Sequence, residues 1–261
     1  MCLITFAINC HPDYSLILAG NRDEFYDRPT TYAHYWEDIP HLLAGRDLQG
    51  GGTWLGISKT GRLAAVTNYR DPQNMRADAR TRGDLTTAFL KDDDLSAREY
   101  LSGLHEKADE YNGFNLLLFD GEKAFHYSNY EKSINELPAG VYGLSNALLD
   151  TPWPKLVRLK KSFEDAFSQQ VAHEDLLAIL EDSELAADHD LPDTGIPYEW
   201  EKAISSICIQ TDNYGTCCST VVTIDKRGQA SFTERSFPVG ARENKVVQFS
   251  FDLPKVEAGK L

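Results

Sequence analysis

The beginning of the chain constrains its fold more than any other stretch. Residues 2–9 form an alternating, strand-like run, and a second such run covers residues 15–20. A proline and an aspartate between the two runs supply turn chemistry. The pattern predicts a β-hairpin, which would return the polar cluster at residues 21–25 to the neighbourhood of Cys2.

Apolar periodicity predicts antiparallel hairpins at both ends of the chain and helices in two blocks between them. The later predicted strands are two short runs joined at residues 59–61, then 114–120, 124–127, 141–144, 203–210, 218–225, 230–237 and 246–251. The predicted helices are 82–91, 95–110, 153–170 and 174–182, with Asp94 or Ser96 as the cap of the second. Residues 26–43 and 183–200 are expected to be irregular. This order favours an α+β class with two packed antiparallel sheets covered by helices.

The chain has 261 residues and no internal repeat or linker. These features predict one domain over residues 1–261, with a frayed tail from about residue 252. The net charge is −14 and there is no cluster of basic residues, so nucleic acid is not an expected partner. The apolar stretch 114–119 is far too short to span a bilayer, so no transmembrane segment is expected.

The cysteine and histidine content points to a reduced, cytoplasmic protein without a resident metal. Five cysteines are an odd number, and the N-terminal run lacks the features of a signal peptide. Neither a CxxC pair nor two histidines at metal-ligand spacing occur. No metal site is therefore expected.

Cys2 is the first candidate for chemistry because it directly follows Met1. A small second residue permits removal of the initiator methionine, which would leave Cys2 with a free α-amino group. The thiol would then be a nucleophile, and the amine, with a pKa of about 7.7–8.0, could act as its base. The alternative is that Cys2 is a buried strand residue, since free cysteine often behaves as a small hydrophobe.

The polar cluster after the second strand strengthens the reactive interpretation. Arg22 and Asp23 near a thiol could lower its pKa and hold it in position. The alternative is a turn with a surface ion pair, which would add little stability.

Two asparagines and a glycine run are further candidates. Asn68 and Asn146 each follow a predicted strand, where an amide can donate to an oxyanion or can satisfy the backbone of a turn. Residues 50–52 are three glycines, which allow close backbone approach and could form the rim of a pocket or a turn before a strand. They match neither a dinucleotide loop nor a Walker loop.

Ten short motifs, taken in order, resemble those of the NRDE family, also called the transport and Golgi organisation protein 2 family. The motifs are Met1-Cys2, Asn21 to Phe25, Arg28 to Thr30, Gly45 to Asp47, Gly51 to Gly56, Thr67 to Arg70, Arg82-Gly83, Tyr111 to Asn115, Gly143 to Asn146 and Tyr214 to Thr216. The resemblance covers nearly the whole chain.

That family in turn resembles the N-terminal nucleophile hydrolases of the choloylglycine hydrolase and penicillin V acylase type. The resemblance implies an αββα sandwich, with Cys2 as nucleophile and its α-amine as base. It also implies that Arg22 and Asp23 orient the thiol, that Asn68 donates to the oxyanion and that Asn146 contacts the amine. One departure is evident, because Cys217 stands where an arginine is expected after Tyr214-Gly215-Thr216.

For function, the resemblance to the NRDE family implies haem binding and trafficking, with haem bound non-covalently and passed to a haem-acceptor protein. The aromatic-rich residues 26–36 and Trp54 could wall an apolar pocket for a flat amphipathic ligand. The alternative hypothesis is a Cys2 amidohydrolase acting on a linear, non-peptide amide. A purely structural interaction module is the third hypothesis.

Overall fold

The computed structural model of the protein describes residues 2–168, 171–240 and 243–254. The strands are β1 (Cys2–Ile8), β2 (Tyr14–Phe25), β3 (Thr30–Tyr35), β4 (Leu42–Asp47), β5 (Leu55–Ser58), β6 (Leu63–Asn68), β7 (Phe114–Phe119), β8 (Ala124–Ser128), β9 (Ile134–Leu137), β10 (Gly140–Leu144), β11 (Tyr214–Asp225), β12 (Gln229–Ser236) and β13 (Lys245–Asp252). The α-helices are α1 (Gly83–Lys91), α2 (Ala97–His105), α3 (Pro154–Phe167), α4 (His173–Ile179) and α5 (Tyr198–Ala203).

The strands form two antiparallel sheets. The six-stranded sheet has the order β10-β1-β2-β11-β12-β13, and the seven-stranded sheet runs from β3 to β9 in chain order. The first hairpin is confirmed, because β1 pairs with β2 so that Cys2 lies opposite Arg22. The predicted α+β class with two packed antiparallel sheets is therefore also confirmed.

Three apolar layers hold this arrangement together. The side chains alternate along each strand, so Ile4 and Leu18 lie in the core between the sheets. Leu3 and Ala19 face the opposite way and pack in the core that also contains residues of α3 and α4. A third core joins the seven-stranded sheet to α1 and α2. Helices thus cover both outer faces, which is the predicted αββα sandwich.

The helices begin where local chemistry favours it. Ser96 caps α2, because its side chain accepts a hydrogen bond from the backbone N–H of Glu99. In return, the backbone N–H of Ser96 donates to the Glu99 carboxylate. Such a cap stabilises a helix by about 1 kcal/mol. Pro154 occupies the first turn of α3, where its missing N–H is not needed. Of the two predicted caps, Ser96 is the one that the structure uses.

Several sequence-based boundaries were wrong. Residues 26–43 are not wholly irregular, since they contain β3 and the start of β4, and β9 was not predicted. The cluster at residues 21–25 lies inside β2 rather than after it. Residues 183–200 contain a short 3₁₀ helix and the beginning of α5.

The predicted strand at residues 203–210 does not form. Its three isoleucines favour a strand, but Ala203 ends α5 and the following backbone is irregular. Ile204 and Ile209 instead pack in a small core of their own. The backbone is held by bonds such as that from the Cys208 N–H to the Asp182 carbonyl, at 2.7 Å.

The predicted frayed tail falls only partly within the described residues. Asp252 ends β13, and the Leu253 N–H donates to the Gly228 carbonyl at 2.7 Å. Residues 255–261 lie outside the described part of the chain. Among the described residues, no helix has the length and apolar character that crossing a membrane requires.

Candidate functional site

A cavity of about 630 Å³ opens where both sheets meet the segment before α1. Four of the five predicted site residues line it, namely Cys2, Arg22, Asp23 and Asn68. They come from both sheets, so the hairpin alone does not build the site. We call the Cys2, Arg22, Asp23 and Arg70 side the inner end of the cavity, and we call Arg28, Arg46, Arg76 and Arg80 its rim.

Cys2 lies at the first position of β1 and is 7% exposed. Its place on the strand puts the side chain on the face that points between the sheets. Burial raises the pKa of the Cys2 thiol to about 11. The thiol is therefore protonated at neutral pH, and a reaction at its sulfur needs a base.

Arg22 occupies the strand position between two thiols. It lies opposite Cys2 on one side and opposite Cys218 on the other. Its Nη2 donates to Glu24 at 3.4 Å, while its buried Nη1 has no hydrogen-bond partner among the described residues. A buried donor without a partner costs free energy, so this N–H is available to a ligand acceptor in the cavity.

Asp23 is the next residue of β2 and is fully buried. The Thr216 hydroxyl donates to one of its carboxylate oxygens at 2.8 Å. Burial raises the pKa of Asp23, and the nearby Lys155 partly offsets this effect. Asp23 is thus hydrogen-bonded to β11 and lies within electrostatic range of a helix residue.

Asn68 and Asn146 are coupled but play different parts. Asn68 ends β6 and lines the cavity. Asn146 is not among the lining residues; it is buried behind Asn68 and its Nδ2 donates to the Asn68 carbonyl at 2.9 Å. The Asn146 Oδ1 is buried without a partner among the described residues. Asn146 therefore holds the end of β6 in place.

Cys217 sits at an irregularity of β11. The pairing of β11 with β2 shifts register between Thr216 and Cys218, so Cys217 is the extra residue of a bulge. Its Sγ lies 3.7 Å from the Glu24 carbonyl and 3.6 Å from the Gly215 carbonyl. At the position where an arginine was expected, the Cys217 thiol therefore points at backbone, and it does not line the cavity.

Sequence comparison decides the family. A sequence model described as "Transport and Golgi organisation 2" matches residues 1–238. The chain belongs to the transport and Golgi organisation 2 family. The resemblance noted from the motifs is thereby confirmed.

The relatives of this family member include proteins of mammals and of an insect. It is 40% identical over 258 residues to the human transport and Golgi organization protein 2 homolog, covering 90% of this chain and 93% of the human protein. Identity to the mouse homolog is 38% over 262 residues, with the same coverage of the two chains. Identity to the Drosophila melanogaster protein is 28% over 265 residues, covering 90% and 92%.

Two solved structures resemble the fold distantly. One is a Caenorhabditis elegans ortholog of N-acylethanolamine-hydrolyzing acid amidase, with a TM-score of 0.46, 10% identity and coverage of 84% and 92%. The other is a C2A mutant of the conjugated bile acid hydrolase from Clostridium perfringens, with a TM-score of 0.46, 8% identity and coverage of 98% and 100%. Similarity at that level carries no information on activity.

Arginines are the main charged residues of the cavity in this family member, and only Arg22 among them was a predicted site residue. Seven arginines line the cavity, namely Arg22, Arg28, Arg46, Arg70, Arg76, Arg80 and Arg82. Five carboxylates accompany them, namely Asp23, Glu24, Asp47, Asp71 and Glu234. The wall therefore carries an excess of positive charge in a chain whose net charge is −14. Such a wall favours a ligand with an anionic group.

Arg82 stands out among these arginines. It immediately precedes α1, and its Nη1 donates to the backbone carbonyl of Gly113 at 3.1 Å. Burial lowers the pKa of Arg82, and Cys2 and Glu24 are the nearby groups that oppose this effect. The motif Arg82-Gly83 was visible in the sequence, but no role could be assigned without the docking of α1.

The glycine run has a defined structural role. A Cβ on Gly52 would lie 2.5 Å from the carbonyl carbon and oxygen of Gly83, which are backbone atoms that cannot move aside. Gly51 has a φ of +79°, a conformation that favours glycine. The glycine run therefore packs directly against the start of α1. Gly52 also lines the cavity, so this part of the cavity wall is rigid.

The predicted aromatic wall was partly wrong. Trp36 is fully buried in the core beneath α1 and α2, and Tyr35 packs against the core between the sheets. Trp54 does line the cavity, as do Phe25 and Trp200. The segment 26–36 contributes Arg28, Thr30 and Thr31 to the cavity instead.

Proposed function

We propose that this family member is a cysteine amidohydrolase whose nucleophile is Cys2 and whose substrate is a linear, non-peptide amide. The observation that carries the proposal is the position of the Cys2 thiol at the inner end of a cavity of ligand size, opposite Arg22. A buried, neutral thiol beside an unused guanidinium N–H suits attack on a carbonyl whose oxygen becomes negative.

The first half of the reaction is acyl transfer to sulfur. Removal of Met1 gives Cys2 an α-amine, which takes the Sγ proton as the sulfur bonds to the amide carbon. The carbonyl oxygen becomes an oxyanion and accepts hydrogen bonds from the Asn68 amide and from Arg22 Nη1. The C–N bond then breaks, and the α-ammonium returns the proton to the leaving amine.

The second half is hydrolysis of the thioester. A water molecule gives a proton to the α-amine and bonds to the acyl carbon, and the same two donors stabilise the second oxyanion. The C–S bond breaks, a carboxylic acid leaves, and the proton returns to the thiolate. The amine and the thiol are regenerated, so the cycle closes without a cofactor.

Intact mass and turnover test this proposal together. We expect loss of Met1 in purified protein, and turnover of an N-acyl p-nitroanilide with a linear acyl chain. Cys2→Ala should abolish turnover with the fold retained, and Asn68→Ala should lower kcat by about 10²–10³-fold. Cys10→Ala, which changes an exposed thiol next to the same hairpin, is the matched control. Active protein that retains Met1 would contradict the amine mechanism.

Haem is the second candidate ligand, and the lining of the cavity favours it. Cys2, Cys218, Met75 and Tyr69 line the cavity and are of residue types that ligate haem iron. The arginine excess suits the propionate groups, and Trp54 and Trp200 supply apolar surface. No histidine is among the described lining residues. We propose haem as a transported ligand, which a haem-acceptor protein would then receive.

Haem titration separates the two functions. Binding predicts a saturable Soret shift that Arg82→Ala and Trp54→Ala weaken, whereas an exposed change such as Val157→Ala on α3 leaves it intact. A Soret shift that does not saturate would count against haem. Turnover that depends on Cys2, without saturable haem binding, would support the amidohydrolase function and contradict the haem-binding function.

A further inference from the structure

Lys155 is a buried lysine that the proposed reaction does not use. It lies on the first turn of α3, is 3% exposed, and its Nζ donates to the Ile204 carbonyl at 3.0 Å. It lies on the side of the helix that packs against the six-stranded sheet, where Leu156 and Leu159 are also buried. A buried ammonium needs a negative partner in addition to one carbonyl.

Asp23 lies on the same side of that sheet. Alternation along β2 puts Asp23 with Asn21 on the face toward the helices, and the Asn21 amide donates to the Leu180 and Ile207 carbonyls there. Burial lowers the pKa of Lys155 to about 8, and Asp23 is the neighbouring charge that most opposes this effect. Conversely, Lys155 is the charge that most opposes the rise of the pKa of Asp23.

Two neighbouring arginines also contact other carboxylates. Arg22 contacts Glu24 at 3.4 Å, and Arg70 contacts Glu201 at 2.7 Å. The other titratable and charged groups that act on Asp23 or feel its charge are the N-terminal amine, Arg22, Arg70, Cys2, Tyr26, Cys208 and Tyr214, and the amine acts on Asp23 more strongly than Arg22 does. Glu201 also acts on Lys155. Lys155 is the cation that α3 contributes to this group, and among the charges it acts most strongly on Asp23.

We propose that Lys155 is a positioning residue that keeps Asp23 ionised from the helix side of the sheet, so that this carboxylate can accept a hydrogen bond from the α-ammonium of processed Cys2. The Cys217 thiol lies against backbone carbonyls, and the cation on this side of the sheet comes from α3. This inference rests on the proposed amidohydrolase function for its catalytic consequence, but not for the Lys155–Asp23 coupling.

A double-mutant cycle tests the coupling without any assay of activity. The variants are Lys155→Met, Asp23→Asn and the pair, with unfolding by urea followed by circular dichroism. The double variant should lose less unfolding free energy than the two single variants lose together, because it leaves no unpaired buried charge. Additive losses would overturn the proposal. If Lys155→Met does not fold, the double variant should still fold, and failure of both would assign Lys155 to packing alone.

The pH profile of kcat/KM tests the consequence for the site. Losing the cation should raise the pKa of Asp23, so the acid limb of Lys155→Met should move upward by about 1–3 pH units. Lys155→Arg, which keeps the charge, should retain the wild-type limb. A uniform loss of turnover without a shift would overturn the positioning role. Absence of turnover in the wild type would reject the amidohydrolase instead, and the cycle would still decide the coupling.

Discussion

The inner end and the rim of the cavity use the same residue types in opposite surroundings. The Arg70–Glu201 pair has side chains that are 7% and 5% exposed, whereas the side chains of the Arg46–Asp38 pair are 31% and 54% exposed. Both pairs have a closest distance of 2.7 Å. Exposed pairs contribute little because water and salt screen them, whereas breaking a buried pair strands a charge. Equal distances therefore do not mean equal energies, and the inner end is the part of the cavity that tolerates least change.

The largest expected effect comes from breaking the buried pair. Arg70→Met should lower the free energy of unfolding by about 3–5 kcal/mol, because it removes one partner of a buried ion pair and leaves Glu201 without the other. Urea unfolding measures the loss. The double variant Arg70→Met/Glu201→Leu should recover most of the stability, and a double variant as unstable as the single one would show that packing dominates.

A pH-dependent effect at the inner end comes next. The pKa of Lys155 is about 8 in the folded protein and 10.5 for an ordinary lysine. Between these values the unfolded chain holds a proton that the folded chain has lost, so stability rises with pH. The rise is on the order of 3 kcal/mol, and below pH 8 this group adds no slope. The unfolding free energy of the wild type minus that of Lys155→Met should therefore increase as the pH rises above 8. A difference that is constant from pH 7 to 10 would contradict this prediction.

A smaller effect is expected for the reactivity of the two thiols of the first hairpin, Cys2 and Cys10. In molecules that retain Met1, exposed Cys10 should react with iodoacetamide at least about tenfold faster than Cys2 at pH 7.5, since burial raises the pKa of Cys2 to about 11. The Cys2 rate should keep rising with pH until about 11. Peptide mass spectrometry resolves the two sites, and a Cys2 plateau near pH 8 would be inconsistent with the buried thiol.

The smallest effect is expected at the rim. Arg46→Met removes the exposed contact with Asp38, the bond to the Gly51 carbonyl and the stacking on Trp36, and its cost should lie well below that of Arg70→Met and fall further in high salt. The same urea assay in low and high salt provides the measurement. A loss as large as that of Arg70→Met would remove the distinction between the two ends of the cavity.

Much of the fold could be predicted because it depends on local patterns. The turn between β1 and β2, the Ser96 cap of α2 and the apolar spacing of α3 are all visible in short windows of sequence. The failure at residues 203–210 has a physical cause. Ile204 and Ile209 fill a small core from irregular backbone, and a short apolar run does not distinguish that from a strand.

The site could be predicted only in part. Cys2 and Arg22 meet through one hairpin, so sequence proximity was sufficient for them. Asn68 arrives from the other sheet and was assigned by resemblance. Lys155 depends on how α3 docks, although its spacing from Leu159 and Phe163 places it on the buried stripe of the helix. A lysine on such a stripe is a usable sequence signal for a buried charge.

The contact between Gly52 and Gly83 has a consequence for redesign of the cavity. Because the wall there is backbone against backbone, even a methyl group at position 52 would displace the start of α1 and, with it, Arg82. Libraries that aim to admit a bulkier ligand should therefore leave positions 52 and 83 untouched. Diversity belongs at the exposed arginines, Arg76 and Arg80, which contact the Asp109 carbonyl and the Glu110 carboxylate at the surface and touch neither glycine.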